Sequence, residues 1–483
     1  MRYIVIQRIT GLLLILFSST LLPPIIVSYG YGDGALKAFL SAFSITFIVG
    51  LILFLPVYMK KQDIRLREGF IIVTLFWTLL ALVGSLPFAI AEHPHMAFTD
   101  AFFESMSGLT TTGATVLTGI DELPQSIRYY RQQLQWLGGM GIVVLAVAVM
   151  PMLGVGGMQL YRAETPGPMK DNKLTPRITE TAKALWYIYL GLTVACALSY
   201  WLAGMTPFDA IGHSFSTIAI GGFSTHDQNI GYFNNVTIEM VGIVFMILAG
   251  INFALHFISW RERNLSPYFV DAEVKTYLSL LLIISVIVIT VLWNEGTYQT
   301  MQETLHHGIF QAVSIGTTTG FTTSGFYWWP LFLPVLLITA SFIGGCAGST
   351  AGGMKVIRAL LLYKQGRREI LRLIHPDALF PIKVGGKPME DRVISAVWGF
   401  FALYVFSYAA LSLIMVSTGN DLVTAFSAVA ACLNNLGPGL GGVSTDYAGL
   451  TDTGKWVLSA AMLLGRLELF TLLVLFTPAF WRG

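Results

Sequence analysis

Four short runs of this chain place glycine where the backbone itself can do chemistry: Thr110-Thr111-Thr112-Gly113, Ala219-Ile220-Gly221-Gly222, Thr317-Thr318-Thr319-Gly320 and Asn434-Asn435-Leu436-Gly437. A single Thr-rich tripeptide before glycine is an ordinary turn signal. Extended backbone passing through such a glycine can keep successive carbonyls on one side, a conformation that residues with a Cβ resist. Carbonyls arranged in that way replace the hydration shell of an alkali cation. The hydroxyls of the first and third runs add ligands, or bond back to the carbonyls of a preceding helix.

Each run ends a half-apolar segment, at 99–116, 207–225, 305–323 and 421–441. These are too short to cross roughly 30 Å of hydrocarbon and suit re-entrant segments that dip in and return on the same side. Between and around them lie ten apolar runs long enough to span, near 9–29, 38–59, 69–92, 130–153, 183–204, 236–260, 274–293, 330–362, 393–417 and 455–480. The expected fold is therefore all-α and integral to the membrane.

Composition agrees. Of 483 residues, 54% are hydrophobic and 12% charged, and the mean hydropathy is +0.67, against roughly 25% charged in a soluble protein. A net charge of +2 excludes the dense basic face that a nucleic-acid partner requires. Cys196, Cys346 and Cys432 have no metal-ligand spacing and read as buried apolar residues. The first apolar run continues through Pro23-Pro24 with no Ala-x-Ala-like site, so it is expected to stay as a span rather than act as a signal peptide. With a cytoplasmic amino terminus and every half-segment re-entrant from outside, 24 of the 29 Lys and Arg fall on the cytoplasmic side and both termini are cytoplasmic. That is the bias the positive-inside rule demands, and one full crossing by any half-segment would destroy it.

Anchored on Gly113, Gly222, Gly320 and Gly437, the chain divides into four blocks of span, half-helix, glycine turn and second span, spaced by 109, 98 and 117 residues. Asp100-Ala101 and Asp209-Ala210 stand thirteen residues before their glycines, and Phe103-Glu104 matches Phe310-Gln311. All blocks start on one side, so they are parallel repeats about an axis along the membrane normal. The expected organisation is two amino-terminal spans in 1–68 and pore repeats in 69–160, 161–264, 265–375 and 376–483.

The repeated turns, the segment Ile343-Gly344-Gly345-Cys346-Ala347-Gly348-Ser349-Thr350-Ala351-Gly352-Gly353-Met354-Lys355 and the block Asn434-Asn435-Leu436-Gly437-Pro438-Gly439 together resemble the membrane subunit of the bacterial Trk potassium uptake system, within the Trk/Ktr/HKT superfamily. The resemblance covers nearly the whole chain. It implies that each repeat is a degenerate potassium-channel subunit, and that potassium meets the backbone of Thr111, Thr112 and Gly113, of Ile220, Gly221 and Gly222, of Thr318, Thr319 and Gly320, and of Asn435, Leu436 and Gly437. Four filter glycines go, in that family, with potassium rather than sodium preference. The sequence departs from the hydroxyl pattern in repeats two and four. The resemblance further implies the bacterial inner membrane, a homodimer, a separate cytoplasmic nucleotide-binding subunit docking on the basic segments 155–182 and 356–392, and no cofactor beyond the transported ion.

The second span of the third block is interrupted by Gly344, Gly345, Ala347, Gly348, Gly352 and Gly353, a poor continuous helix. Small residues suit close helix packing; the resemblance favours an unwound loop acting as a gate under the filter. Arg466 lies eleven residues after Lys455, roughly 16 Å into a helix starting there. An Arg at that depth needs an aqueous path or a partner such as Glu468 or Glu104, and it is expected as a positive barrier beside the gate. An enzyme is not expected, since the eight histidines include no HExxH and no GxSxG is present. The closer rival is a proton-coupled potassium symporter or other alternating-access carrier, although the sparse acidic residues on the spans form no obvious relay.

Overall fold

A computed structural model of the chain describes residues 3–59, 66–141 and 178–482. The described residues are mainly helical, with one two-residue antiparallel pairing of Lys383–Val384 with Lys387–Pro388. Six helical stretches are long and apolar enough to span: Tyr3–Tyr31, Leu36–Val57, Arg67–Ile90, Lys183–Leu202, Ala272–Asn294 and Asp391–Ser417. The first and second pack at glycine, where a Cβ on Gly11 would lie 2.7 Å from the Phe54 nitrogen and one on Gly50 2.9 Å from the Ile15 nitrogen. Apolar helices without a hydrophobic drive between them associate by that kind of close approach.

Three of the other four expected spans are broken. Val236–Ala249 and Phe253–Glu262 meet at 94°, and Asp452–Arg466 and Phe470–Phe476 at 109°. Asn252 causes the first bend by capping a new helix through the Ala254 N–H at 2.9 Å, and Glu468 and Leu469 cause the second by turning left-handed at φ 51° and 54°. The run at 330–362 is two helices, Leu333–Ser341 and Val356–Ile374, joined by turns and coil. The run at 130–153 begins as Gln125–Trp136 and a π-helical turn, Leu137–Gly141; its remainder, like residues 155–177 of the first basic segment, lies outside the described residues.

All four half-segments fold as short helices: Phe98–Leu109, Pro207–Ile218, Met301–Gly316 and Leu422–Leu433. Three have side-chain caps, Thr206 accepting from Asp209 N, Thr300 in a capping box with Glu303, and Asp421 accepting from Thr424 N. Such caps satisfy first-turn N–H groups that no preceding turn can reach. The cores follow one another around the molecule. Tyr189, Cys196 and Tyr200 pack with Phe310 and Phe321, Ile284 and Leu337 with Ala430 and Leu436, and Phe103 and Leu134 with Cys432 and Leu458. All three cysteines are buried and free.

Candidate functional site

The four short helices end in the same way. N–H groups of Thr112, Gly221, Thr319 and Leu436 reach back five residues to the carbonyls of Ser107, Ser216, Ser314 and Ala431 at 2.8–2.9 Å. The preceding N–H groups, of Thr111, Ile220, Thr318 and Asn435, bond to Gly108, Thr217, Ile315 and Cys432 at 3.0–3.2 Å. This is the Schellman termination, which puts its C′ residue in the left-handed region. Here C′ is Thr111, Ile220, Thr318 or Asn435, with φ of 55°, 54°, 68° and 51°. A β-branched residue there is strained and persists only where its surroundings over-determine it. Two residues on, Gly113, Gly222, Gly320 and Gly437 repeat the left-handed sign at 82°, 78°, 81° and 99°.

The turns contact one another in a closed order. A Cβ on Gly113 would overlap the Gly221 carbonyl oxygen, one on Gly222 that of Thr319, one on Gly320 that of Leu436, and one on Gly437 would lie 2.7 Å from that of Thr112. In each case the carbonyl preceding one turn's glycine faces the glycine of the turn before, and the fourth turn returns to the first. Glycine is thus required twice, for its dihedral angle and for the approach of a neighbouring carbonyl. Asn435 reinforces the closing contact by donating to Thr112 Oγ1 at 3.0 Å.

Most carbonyls in this ring have no partner. Among the described residues, those of Thr111, Thr112, Gly113, Ile220, Thr318, Thr319, Gly320, Asn435 and Leu436 accept no hydrogen bond, although the four turns are almost entirely buried. Buried carbonyls left unpaired are costly unless water or an ion satisfies them. The other three are already engaged: Gly221 by Gln135 at 2.6 Å, Gly222 by Asn229 at 3.2 Å and Gly437 by Tyr447 at 2.6 Å. The ring is therefore fourfold in backbone and less regular in its free acceptors, which are fully kept in repeats one and three.

On one side all four glycines line a cavity of about 530 Å³, with Thr115, Ser224 and Thr322 on its wall. The extended segment leaving each turn into this cavity is held by a polar residue on its own helix. Glu104 accepts from Thr115 Oγ1 and Val116 N, both at 3.0 Å; His213 bonds Ser224 Oγ at 2.9 Å; Gln311 donates to the Ser324 carbonyl at 2.9 Å. These three stand nine residues before their glycines; the fourth repeat has Ala428 there and uses Ser427 with Leu440 N at 2.8 Å. Of these, sequence reasoning singles out only Glu104, as a partner for Arg466, and misses the bracing role; the available signal is a polar residue at one fixed offset before each of three glycines. Glu104 is in turn ion-paired with the buried Arg131 at 2.7 Å, which donates to the Ser224 carbonyl at 3.1 Å and ties turn one to turn two.

On the other side lies the glycine-rich segment, unwound rather than packed as a helix. Gly352 N donates to Thr318 Oγ1 at 2.7 Å, Gly353 N to the Asn434 carbonyl at 3.1 Å, and Thr350 Oγ1 to the Ile218 carbonyl at 2.8 Å. The loop therefore touches the helix ends of repeats two, three and four. Gly344, Gly348 and Gly353 adopt φ of 68°, 76° and 70°, while Gly345 packs on the Gly250 carbonyl, where a Cβ would lie 3.0 Å away, and Gly352 packs against that of Asn434. Glu273 clips both ends, accepting from Ala347 N at 2.7 Å and Ile357 N at 3.0 Å.

Arg466 stands beside this loop. It donates to Thr111 Oγ1 at 3.1 Å, the Thr350 carbonyl at 3.3 Å and the Gly139 carbonyl at 2.8 Å, and also to that of Gly138. The carboxylates considered as its partners are committed elsewhere, Glu468 to Arg358 and Glu104 to Arg131.

A mainly helical membrane fold whose four backbone turns close into a ring of buried carbonyls is that of a cation transport protein, as comparison with known proteins shows. The family profile described as TrkH, cation transport protein, matches residues 35–482, and the chain belongs to that family. The Trk system potassium uptake protein TrkH of Vibrio parahaemolyticus is 55% identical over all of both chains, and that of Salmonella typhimurium 56%. TrkG of Escherichia coli is 41% identical over 99% of both. The crystal structure of the potassium transporter TrkH from Vibrio parahaemolyticus superposes with a TM-score of 0.91 at 52% identity, covering 100% of each chain. These relatives are named as transporters, not enzymes.

Proposed function

We propose that the chain carries potassium across the bacterial inner membrane through the ring of four glycine turns. The observation that carries this reading is the closed order of glycine–carbonyl contacts, with nine buried carbonyls free to replace an ion's hydration shell. The backbone of Thr111, Thr112, Gly113, Ile220, Gly221, Gly222, Thr318, Thr319, Gly320, Asn435, Leu436 and Gly437 forms the filter. The short helices direct their carbonyl ends, each about half a negative charge, toward the conducting side below it. The cavity lined by the glycines is the outer vestibule, the loop carrying Gly344, Gly345, Gly348, Gly352 and Gly353 is the gate, and Arg466 supplies a positive barrier beside it. Two amino-terminal spans, 1–68, flank pore repeats 69–160, 161–264, 265–375 and 376–483, with both termini cytoplasmic.

A cytoplasmic nucleotide-binding subunit sets the gate by docking on the helix that leaves it. That helix, Val356–Ile374, and the segment after it expose Tyr363, Ile370, Leu373 and Leu379, and apolar exposure among basic residues suits a protein partner. The membrane subunit acts as a homodimer. The test is growth of a bacterial strain lacking potassium uptake systems, at limiting potassium, with and without the Trk nucleotide-binding subunit. Rescue that needs the subunit is expected; no rescue with the protein present in the membrane overturns the reading.

A further inference from the structure

Glu239, His306 and His307 have no part in the ion pathway just described, yet they converge. One donor atom from each lies within 4.8 Å of the other two. Glu239 is in the first turn of Val236–Ala249, from the second repeat, and the histidines are in the second turn of Met301–Gly316, from the third. His306 Nδ1 and Glu239 Oε2 are 2.8 Å apart, with both side chains mostly buried. A hydrogen-bonded His–Glu pair accounts for these two but not for the convergence of His307 on them. Neighbours on a helix point about 100° apart, so adjacent imidazoles meet only if their rings fold together. These do, with centroids 4.0 Å apart. Stacking on Tyr298 at 5.0 Å and a contact from His307 Nδ1 to Thr323 Oγ1 at 3.0 Å hold the second ring in place.

We propose that Glu239, His306 and His307 bind a borderline divalent transition metal of the zinc type. Two imidazoles and a carboxylate are a donor set that such ions prefer and that magnesium and calcium do not. Three protein ligands leave a fourth, tetrahedral coordination position open to water. The ligating distances are about 2 Å, so the metal draws the two helices together by a small closure of the present spacing. Thr323 transmits that closure: it lines the vestibule, and its carbonyl packs on Gly231, where a Cβ would lie 2.8 Å away. Occupancy therefore restrains the outer strand of the third turn and slows ion entry. Metal binding stands independently of the potassium reading, and only the effect on transport rests on it.

The test uses purified full-length protein titrated with cobalt(II) and with zinc. The wild type is expected to take one cobalt per chain with the visible absorption of a low-coordinate site, and zinc is expected to raise its melting temperature. His306→Asn, His307→Asn and Glu239→Gln should each weaken binding by at least about tenfold, the lower bound seen for shell residues. Wild-type protein that binds no metal, or three variants that bind as it does, overturns the site. In proteoliposomes zinc should slow rubidium uptake by the wild type and not by Glu239→Gln, each compared with its own metal-free rate. Equal inhibition of both overturns the restraining role, whereas absence of uptake from the metal-free wild type counts against the pathway.

Discussion

Arg466 donates to the Thr111 hydroxyl at 3.1 Å while another of its hydrogen bonds reaches the Thr350 carbonyl of the glycine-rich loop at 3.3 Å. One guanidinium thus connects the first turn to the glycine-rich segment. On the proposed pathway a cation leaving the four turns meets that charge at close range. Replacing Arg466 by Ala removes both the barrier and the strut, and should raise rubidium flux in proteoliposomes by about tenfold, or about 1.4 kcal/mol in barrier. Flux equal to wild type would count against the barrier.

The ring contacts rank the glycines. At Gly113, Gly222 and Gly320 an added Cβ overlaps a neighbouring carbonyl oxygen, whereas at Gly437 it would stand 2.7 Å from the nearest. Serine at any of the first three should force the turns apart and lower the potassium-over-sodium uptake ratio by about tenfold, and Gly437→Ser by less. Equal ratios for Gly113→Ser and wild type would remove Gly113 from the filter.

Much of this arrangement was legible in the chain. The half-helices, the four anchoring glycines and the interruption of a continuous helix at Gly344 to Gly353 follow from length, spacing and helix propensity, which are local properties; that the interruption is an unwound loop rather than a close-packed helix came from the family resemblance. The order of the contacts was not, because the approach of the Thr112 carbonyl to Gly437 joins residues more than 300 positions apart. Nor were the bends after Ala249 and Arg466 apparent, since Asn252 and Glu468 are polar residues within runs that each read as one apolar span, and the left-handed φ of Glu468 and Leu469 leaves no mark in the sequence. The histidine cluster shows in sequence only as an adjacent pair, His306-His307; its carboxylate comes from another repeat.

The ion pair behind the first turn has both side chains buried, with relative exposures of 1% and 0% for Arg131 and Glu104. Removing one partner strands a charge, which typically costs roughly 3–5 kcal/mol. Glu104→Gln should lower the melting temperature in detergent sharply, and Glu104→Gln with Arg131→Met should recover part of the loss. A single variant as stable as wild type would show the pair to be idle.

At the vestibule rim His226 pairs with Asp121, lies 3.4 Å from Asp209 and stacks on Tyr232. Burial alone would disfavour the imidazolium, but the nearby Asp209 carboxylate and the hydrogen bond to Asp121 outweigh it and raise the pKa despite nearby His213. Burial likewise works against the Asp121 carboxylate, and hydrogen bonds from His226 and Asp227 lower its pKa. The His226 contribution is complete below its unfolded value, about 6.5, and disappears as pH rises through the raised folded value. That of Asp121 is complete above about 3.9 and disappears as pH falls through its lowered value. The stability difference between wild type and His226→Gln should therefore be largest between about pH 4 and 6.5 and shrink on the alkaline side. Thermal melts across pH check this, and a pH-independent difference contradicts it.

The central claim, that four turns form one carbonyl filter, is tested most directly by anomalous scattering from crystals grown in rubidium. The expected result is a peak on the axis enclosed by Gly113, Gly222, Gly320 and Gly437, within bonding distance of the free carbonyls of Thr112 and Thr319. Rubidium bound elsewhere in the membrane region, with none between the turns, would contradict it.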